Sequence, residues 1–172
     1  MRSILKIVVA IATMCMVFVG PSAAGDAEVA LLRPYIGSWA GAGVLVGGNE
    51  PERFTCRLKI TQSRVVKINY AGRCTLVNMN LSVSGTIGFN DKQKRYEATM
   101  RSNVGFSAAA VGRQRGKHIT FVLNERQNDR GGNNMEVGSA IVLDGNRITV
   151  DFNVEFNQSG QVLTTTVPFQ RQ

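Results

Sequence analysis

Along residues 148–156 every second side chain is apolar: Ile148, Val150, Phe152, Val154 and Phe156, interleaved with Thr149, Asp151, Asn153 and Glu155. A period of two sends successive side chains to opposite faces, so this stretch predicts a strand with one buried and one wetted face. The same alternation runs through 54–60, where Phe54, Cys56, Leu58 and Ile60 share a phase. It recurs in Val66, Ile68, Tyr70, Cys74 and Leu76, and again in Leu81, Val83, Gly85, Ile87 and Phe89. Clusters of Gly, Asn and Asp at 47–49, 90–92, 115–117, 144–146 and 157–160 separate the runs. Such residues supply the positive backbone angles of tight hairpins. Residues 129–134 read as a longer loop. Together the runs predict about nine or ten strands at the ~8–12-residue spacing of all-β domains. Short connections favour an antiparallel meander, and a long meander with one apolar face must close on itself or fold over. The expected fold is therefore all-β, closing into a barrel in preference to a two-sheet sandwich. A short helical turn at 27–32, before Pro34, is expected to cap one end. Pro168 lacks a backbone donor, which predicts an edge strand or a bulge and an imperfect seam there.

The N-terminus breaks this pattern. Arg2 and Lys6 precede an apolar run at 7–19, Pro21 ends it, and Ser22, Ala23 and Ala24 stand before Gly25. That order predicts a signal peptide over 1–24, cleaved to leave a single domain at 25–172 and a periplasmic or secreted protein. The run is too short for the ~20 residues of a bilayer span, so no integral span is expected after cleavage. Met14 before Cys15 argues against a lipid anchor. Cleavage leaves 148 residues and a net charge of +6, since two of the 20 basic residues and none of the 12 acidic ones are removed. A moderate positive charge favours acidic partners. The clustered bases are Lys92, Lys94 and Arg95, and Arg113, Arg115 and Lys117. No nucleic-acid-binding motif accompanies them, and export speaks against such a partner.

With Cys15 removed, Cys56 and Cys74 remain. In an oxidising compartment a disulfide is the default for such a pair. A metal site would need more ligands, and redox exchange would favour a Cys-x-x-Cys spacing. Both thiols share the inward phase of their strands, which makes the bridge a buried staple. Their neighbours Arg57 and Arg73 take the opposite phase and face solvent.

Catalytic chemistry is not evident, and the chain reads as non-enzymatic. Asp151 and Glu155 share a strand face but stand ~13 Å apart by strand rise. No nucleophile-elbow, zinc-helix or phosphate-loop pattern occurs. His118 is the lone histidine and is placed on the outer face or at a strand start. No cofactor is expected; haem returns as a reading only with that imidazole turned inward. The inward phase is almost wholly apolar, and Phe89, Met100, Phe121 and Phe152 are the candidate lining of a ligand cavity. The same residues could equally form a packed core. Small side chains at 105–112 leave volume that large neighbours must fill.

The segment 31–43, with Gly37-Ser38-Trp39 entering a first strand, resembles the Gly-x-Trp start of lipocalins and their calycin relatives. The resemblance implies a calycin-like barrel in which Trp39 plugs one end and Arg171, near the last strand, packs over its ring. The chain departs from that family in lacking a Thr-Asp-Tyr-type second motif and a helix near the C-terminus. Its cysteines also lie on early strands. The order Trp39-x-Gly41-x-Gly43, Glu52, Cys56-Arg57, Arg73-Cys74, with Gly85-Thr86-Ile87-Gly88 after it, resembles small exported proteins of alphaproteobacteria. That likeness implies a periplasmic or surface-associated β-domain with a disulfide, and no activity.

Two functions follow as expectations. One is an exported barrel that binds a small apolar molecule inside. The alternative is an envelope or surface interaction protein with a solid core. Its basic surface of Arg57, Arg73, Lys92, Lys94, Arg95, Arg113, Arg115 and Lys117 would meet an acidic glycan, lipid or protein, as an inhibitor for example.

Overall fold

The computed structural model describes residues 25–64, 67–77, 79–128 and 131–172. The expected signal peptide at 1–24, Val66, and the first residues of the 129–134 loop lie outside these. A helical turn, α1 (Asp26–Ala30), and a 3-10 turn (Arg33–Tyr35) lead into ten strands. These are β1 (Gly37–Leu45), β2 (Glu52–Arg64), β3 (Lys67–Thr75), β4 (Asn80–Asn90), β5 (Arg95–Ser102), β6 (Ser107–Arg115), β7 (His118–Asn128), β8 (Asn134–Asp144), β9 (Arg147–Phe156) and β10 (Gln161–Arg171). Each strand pairs antiparallel with the next, and β10 returns to β1, closing the barrel. Short hairpins make this possible: Gly116 and Gly145 take φ of 61° and 60° at the β6–β7 and β8–β9 turns, where a side chain would be strained.

Closure changes the expectation for Pro168. Instead of an edge, β10 pairs with β9 through Pro168↔Thr149 and with β1 through Trp39↔Arg171, Ala40↔Gln170 and Gly41↔Phe169. The β1–β10 ladder lapses after Gly41↔Phe169, next to Pro168, and resumes in the same register at the bridge Val46↔Thr164. A proline cannot donate to the ladder, so the seam loses bonds locally without slipping. Gly41 lets the strands stay close, since a Cβ there would lie 2.8 Å from Val167 Cγ1 and 2.9 Å from the Pro168 carbonyl oxygen.

The inward phases build the core. Leu32, Tyr35, Trp39, Ile68, Ile119, Leu143 and Ile148 are buried at the end carrying α1 and the 3-10 turn. A second cluster of Phe106, Leu123, Val137 and Val154 fills the opposite end, with Met100, Phe152 and Phe156 half-buried against it. At the capped end Trp39 donates from Nε1 to the Tyr35 carbonyl at 2.8 Å. The Arg171 guanidinium lies 4.8 Å from the Trp39 ring centre. It donates to the carbonyls of Ile36, at 2.9 Å, and Pro34, so one cation closes the end and satisfies the entering chain.

Two tyrosines tie separate elements together, Tyr70 joining β3 to β5 and Tyr96 joining β5 to α1. Tyr70 donates to the Thr99 carbonyl at 2.9 Å and Tyr96 to the Glu28 carbonyl at 2.8 Å. Burial pushes both phenols up to about 12, with the Glu28 charge adding to the effect at Tyr96. Tyr35 is also raised, by burial first and then by Asp144. The unfolded chain ionises these groups near 10, so stability that is full below pH 10 falls as pH rises from about 10 to 12. Phenolate absorbance should therefore stay low past about pH 10.5 and rise together with loss of the β-sheet circular dichroism signal. Ordinary titration near 10 with the fold intact would contradict this.

Candidate functional site

Between Tyr70, Met100, Ala108, Phe121, Leu123 and Ser139 lies a void of about 20 Å³. That is the space of one water. Of the candidate lining residues, Phe121 is buried in the main core and Phe89 packs edge-on against Tyr96 at 5.1 Å between ring centres. Met100 and Phe152 belong to the other cluster. Met100 and Phe121 both line the small void.

The large concavity is on the outside. About 830 Å³ opens on the outer wall of β1–β5. Outward positions on adjacent strands build it in two diagonal rows. In one, Ala40 stands opposite Arg57, Arg57 opposite Arg73, and Arg73 opposite Ser82. In the other, Ser38 meets Lys59, Lys59 meets Ala71, Ala71 meets Ser84, and Ser84 meets Arg101. Alanine and serine form the floor, and Arg57, Lys59, Arg73 and Arg101 stand around it. Lys59 donates to the Ser38 hydroxyl at 3.2 Å. None of the four cations forms an ion pair with a carboxylate among the described residues.

Arg57 and Arg73 are directly opposed across two strands. Like charges in that relation destabilise a sheet. The rung beside them is the disulfide: Cys56 pairs with Cys74, Cα atoms 4.0 Å apart, and the bridge is closed. It spans 18 residues and contributes roughly 3 kcal/mol in the loop-entropy account. The staple therefore fixes the register of the two arginines and offsets their repulsion. The cysteines face the core and the arginines face solvent.

Charge is segregated around the barrel. Outward positions of β2–β5 carry Arg53, Arg57, Lys59, Lys67, Arg73, Arg95 and Arg101 against one carboxylate, Glu97. Hydrogen bonds from Asn90 and Arg95, together with the positive charge of Arg95 and Lys67, hold Glu97 below the usual carboxylate range. Opposite, β8 and β9 present Glu136, Asp144, Asp151 and Glu155 outward, several of them engaged. Glu136 pairs with Arg126 at 2.7 Å, Asp144 with His118 at 3.2 Å, and Asp151 accepts from Thr166 at 2.6 Å.

The other basic positions fall elsewhere. Lys92 and Lys94 sit in the β4–β5 turn, where Lys94 pairs with Asp91 at 3.4 Å, and Arg95 pairs with Glu97 at 3.0 Å. Arg113, Arg115 and Lys117 are exposed at the β6–β7 hairpin. These two clusters stand at the capped end, apart from the basin. His118 is exposed on the outside of the barrel, beside Asp144. The sequence reading missed Lys59 and Arg101 as partners of Arg57 and Arg73. The outward phase of 57 and 59 was available for Lys59; nothing local marks Arg101. No group of three or more His, Cys, Asp or Glu side chains converges as for a metal ion among the described residues.

Fold and site together define a closed ten-stranded antiparallel β-barrel with a basic outer basin. Neither a protein-family profile nor a curated protein matches the sequence. Among solved structures the chain is similar to Rv2717c from M. tuberculosis, with TM-score 0.62 and 15% identity over 84% of this chain and 96% of that one. It is also similar to the S-type phycobiliprotein lyase CPES from Guillardia theta, with TM-score 0.55 and 14% identity over 86% and 93% of the two chains. Both likenesses concern the barrel fold.

Proposed function

We propose that the chain is an exported, non-enzymatic barrel that binds an anionic component of the cell envelope on its outer wall. The observation that carries this reading is the basin itself. Arg57, Lys59, Arg73 and Arg101 surround about 830 Å³ of open concavity with no carboxylate partner, and two of them are held in direct opposition by the disulfide. A sheet keeps such repulsion at low cost when a ligand's negative groups complete it. Export is supported by the signal-like residues 1–24 and by the disulfide. No described helix is long and apolar enough to cross a membrane. One structural neighbour bears the name of a lyase. In this chain the His118–Asp144 pair lies exposed and apart from the basin.

The test is a titration with a sulfated oligosaccharide as soluble polyanion. Four cationic contacts predict an affinity that falls about 100-fold between roughly 50 and 200 mM salt. Absent or salt-indifferent binding would sink the reading.

A second reading keeps a small apolar ligand inside. It is favoured by the lobe where Met100 and Phe152 are half-buried beside Ala108 and Ala110, next to the small void. Native mass spectrometry of protein purified from its own cells should then show a bound mass.

A further inference from the structure

Resting on the anion-binding reading, we propose that the occupant of the basin is the headgroup surface of an anionic lipid bilayer, with apolar loop tips beside the basin entering the interface. Eight large hydrophobic side chains are exposed among the described residues: Val44, Val46, Val77, Met79, Val104, Val111, Val122 and Val162. All but Val111 and Val122 stand at the end opposite α1, on the β1–β2, β3–β4 and β5–β6 connections or the strand ends beside them. That end is therefore rimmed with valine and methionine where loops are ordinarily polar.

The rim and the basin are one surface. Val77, 77% exposed, and Met79, 46% exposed, lie on the β3–β4 loop, and Val104, 41% exposed, on the β5–β6 loop. Asn103, which lines the basin, locks the two loops together. Its backbone N donates to the Ser82 carbonyl at 3.0 Å, its side-chain oxygen accepts from Ser82 N at 2.8 Å, and its amide donates to the Asn80 carbonyl at 2.8 Å. Glu52 accepts from the backbone N of Val77 and holds that tip from below. Met79 and Val104 are the chain neighbours of these anchors, so the tips are fixed platforms beside Arg101 and Arg73.

A soluble acidic partner would use the cations and leave the apolar tips wet. A bilayer uses both, because apolar side chains gain at the headgroup–acyl boundary while nearby Lys and Arg are drawn to anionic lipid. Each near-surface cation raises partitioning about 5-fold. Glu136 and Glu155, on the far side of the same end, turn away when the β2–β5 wall meets the membrane. The barrel thus sits tilted on its basic side.

The experiment is co-sedimentation of the disulfide-bonded protein with phosphatidylcholine vesicles, with and without roughly 30% phosphatidylglycerol. Wild type should pellet with the anionic vesicles, stay in solution with the neutral ones, and be released by high salt. Val77→Ser with Val104→Ser, both at exposed tips, should weaken vesicle partitioning several-fold and leave affinity for the soluble sulfated oligosaccharide unchanged. Val77→Asp with Val104→Asp should give a larger loss from the vesicles and, through its added negative charge, a few-fold loss toward the oligosaccharide as well. Oligosaccharide binding without vesicle binding overturns this inference and leaves the basin reading standing; loss of both overturns both. Equal partitioning to neutral vesicles, or indifference to the tip variants, also overturns it.

Discussion

Replacing Arg57 and Arg73 by glutamate is expected to abolish binding of polyanions and of anionic vesicles while leaving the barrel folded. Both side chains are outward and solvated, and neither pairs with a carboxylate among the described residues, so no native ion pair is lost. The opposed rung changes from two cations to two anions, with the same local repulsion held by the same Cys56–Cys74 bridge. Stability should therefore move by less than about 1 kcal/mol, the scale of surface charge effects. Affinity should fall far more. Two attractive contacts become two repulsive ones, a change of four charges at the basin centre, which predicts a loss of roughly 100-fold or greater at low salt. Matched reversal of Arg113 and Arg115, at the capped end, should weaken binding only a few-fold, through net charge. Equal effects of the two pairs, read by calorimetric titration, would show that the basin has no special role.

The largest effect on stability is expected at Trp39. Its ring is 1% exposed and closes the capped end between Tyr35, whose ring centre is 6.4 Å away, and the Arg171 guanidinium. Trp39→Ala removes the largest buried side chain, strands the Tyr35 carbonyl that Nε1 supplies, and takes away the surface on which Arg171 rests. Truncations of this kind cost about 3–5 kcal/mol, and for a domain of this size that lowers the melting temperature by roughly 10 °C or more. Trp39→Phe keeps most of the volume and loses the donor, so it should fall between. Arg171→Met keeps much of the stem and loses the hydrogen bonds to Pro34 and Ile36, with a cost of about 1–3 kcal/mol. Thermal melts that leave Trp39→Ala within a few degrees of wild type would show that the end is closed by other contacts.

The β architecture was legible because one physical requirement, a single buried face, writes a period of two into every strand. The inward phase of Cys56 and Cys74, and the outward phase of Arg57 and Arg73, followed from that period alone. The basin did not. Arg101 joins Arg73 through the β3–β4 and β4–β5 registers, Arg73↔Ser82 and Ser84↔Arg101, and no local pattern encodes that diagonal. The basic clusters at 92–95 and 113–117 stood out as text because they are contiguous, yet hairpin turns carry them to the capped end. Pro168 shows the converse: its missing donor was legible, but whether a strand is an edge depends on closure, which belongs to the whole meander.

The outer wall, and not the barrel interior, is expected to meet the ligand. Amide shift mapping of ¹⁵N-labelled protein during titration with the sulfated oligosaccharide tests it most directly. Perturbations should concentrate at Arg57, Lys59, Arg73, Ser84, Arg101 and Asn103 and be reversed by salt. Shifts confined to Met100, Ala108, Phe121 and Phe152, or spread evenly over all basic positions, would contradict it.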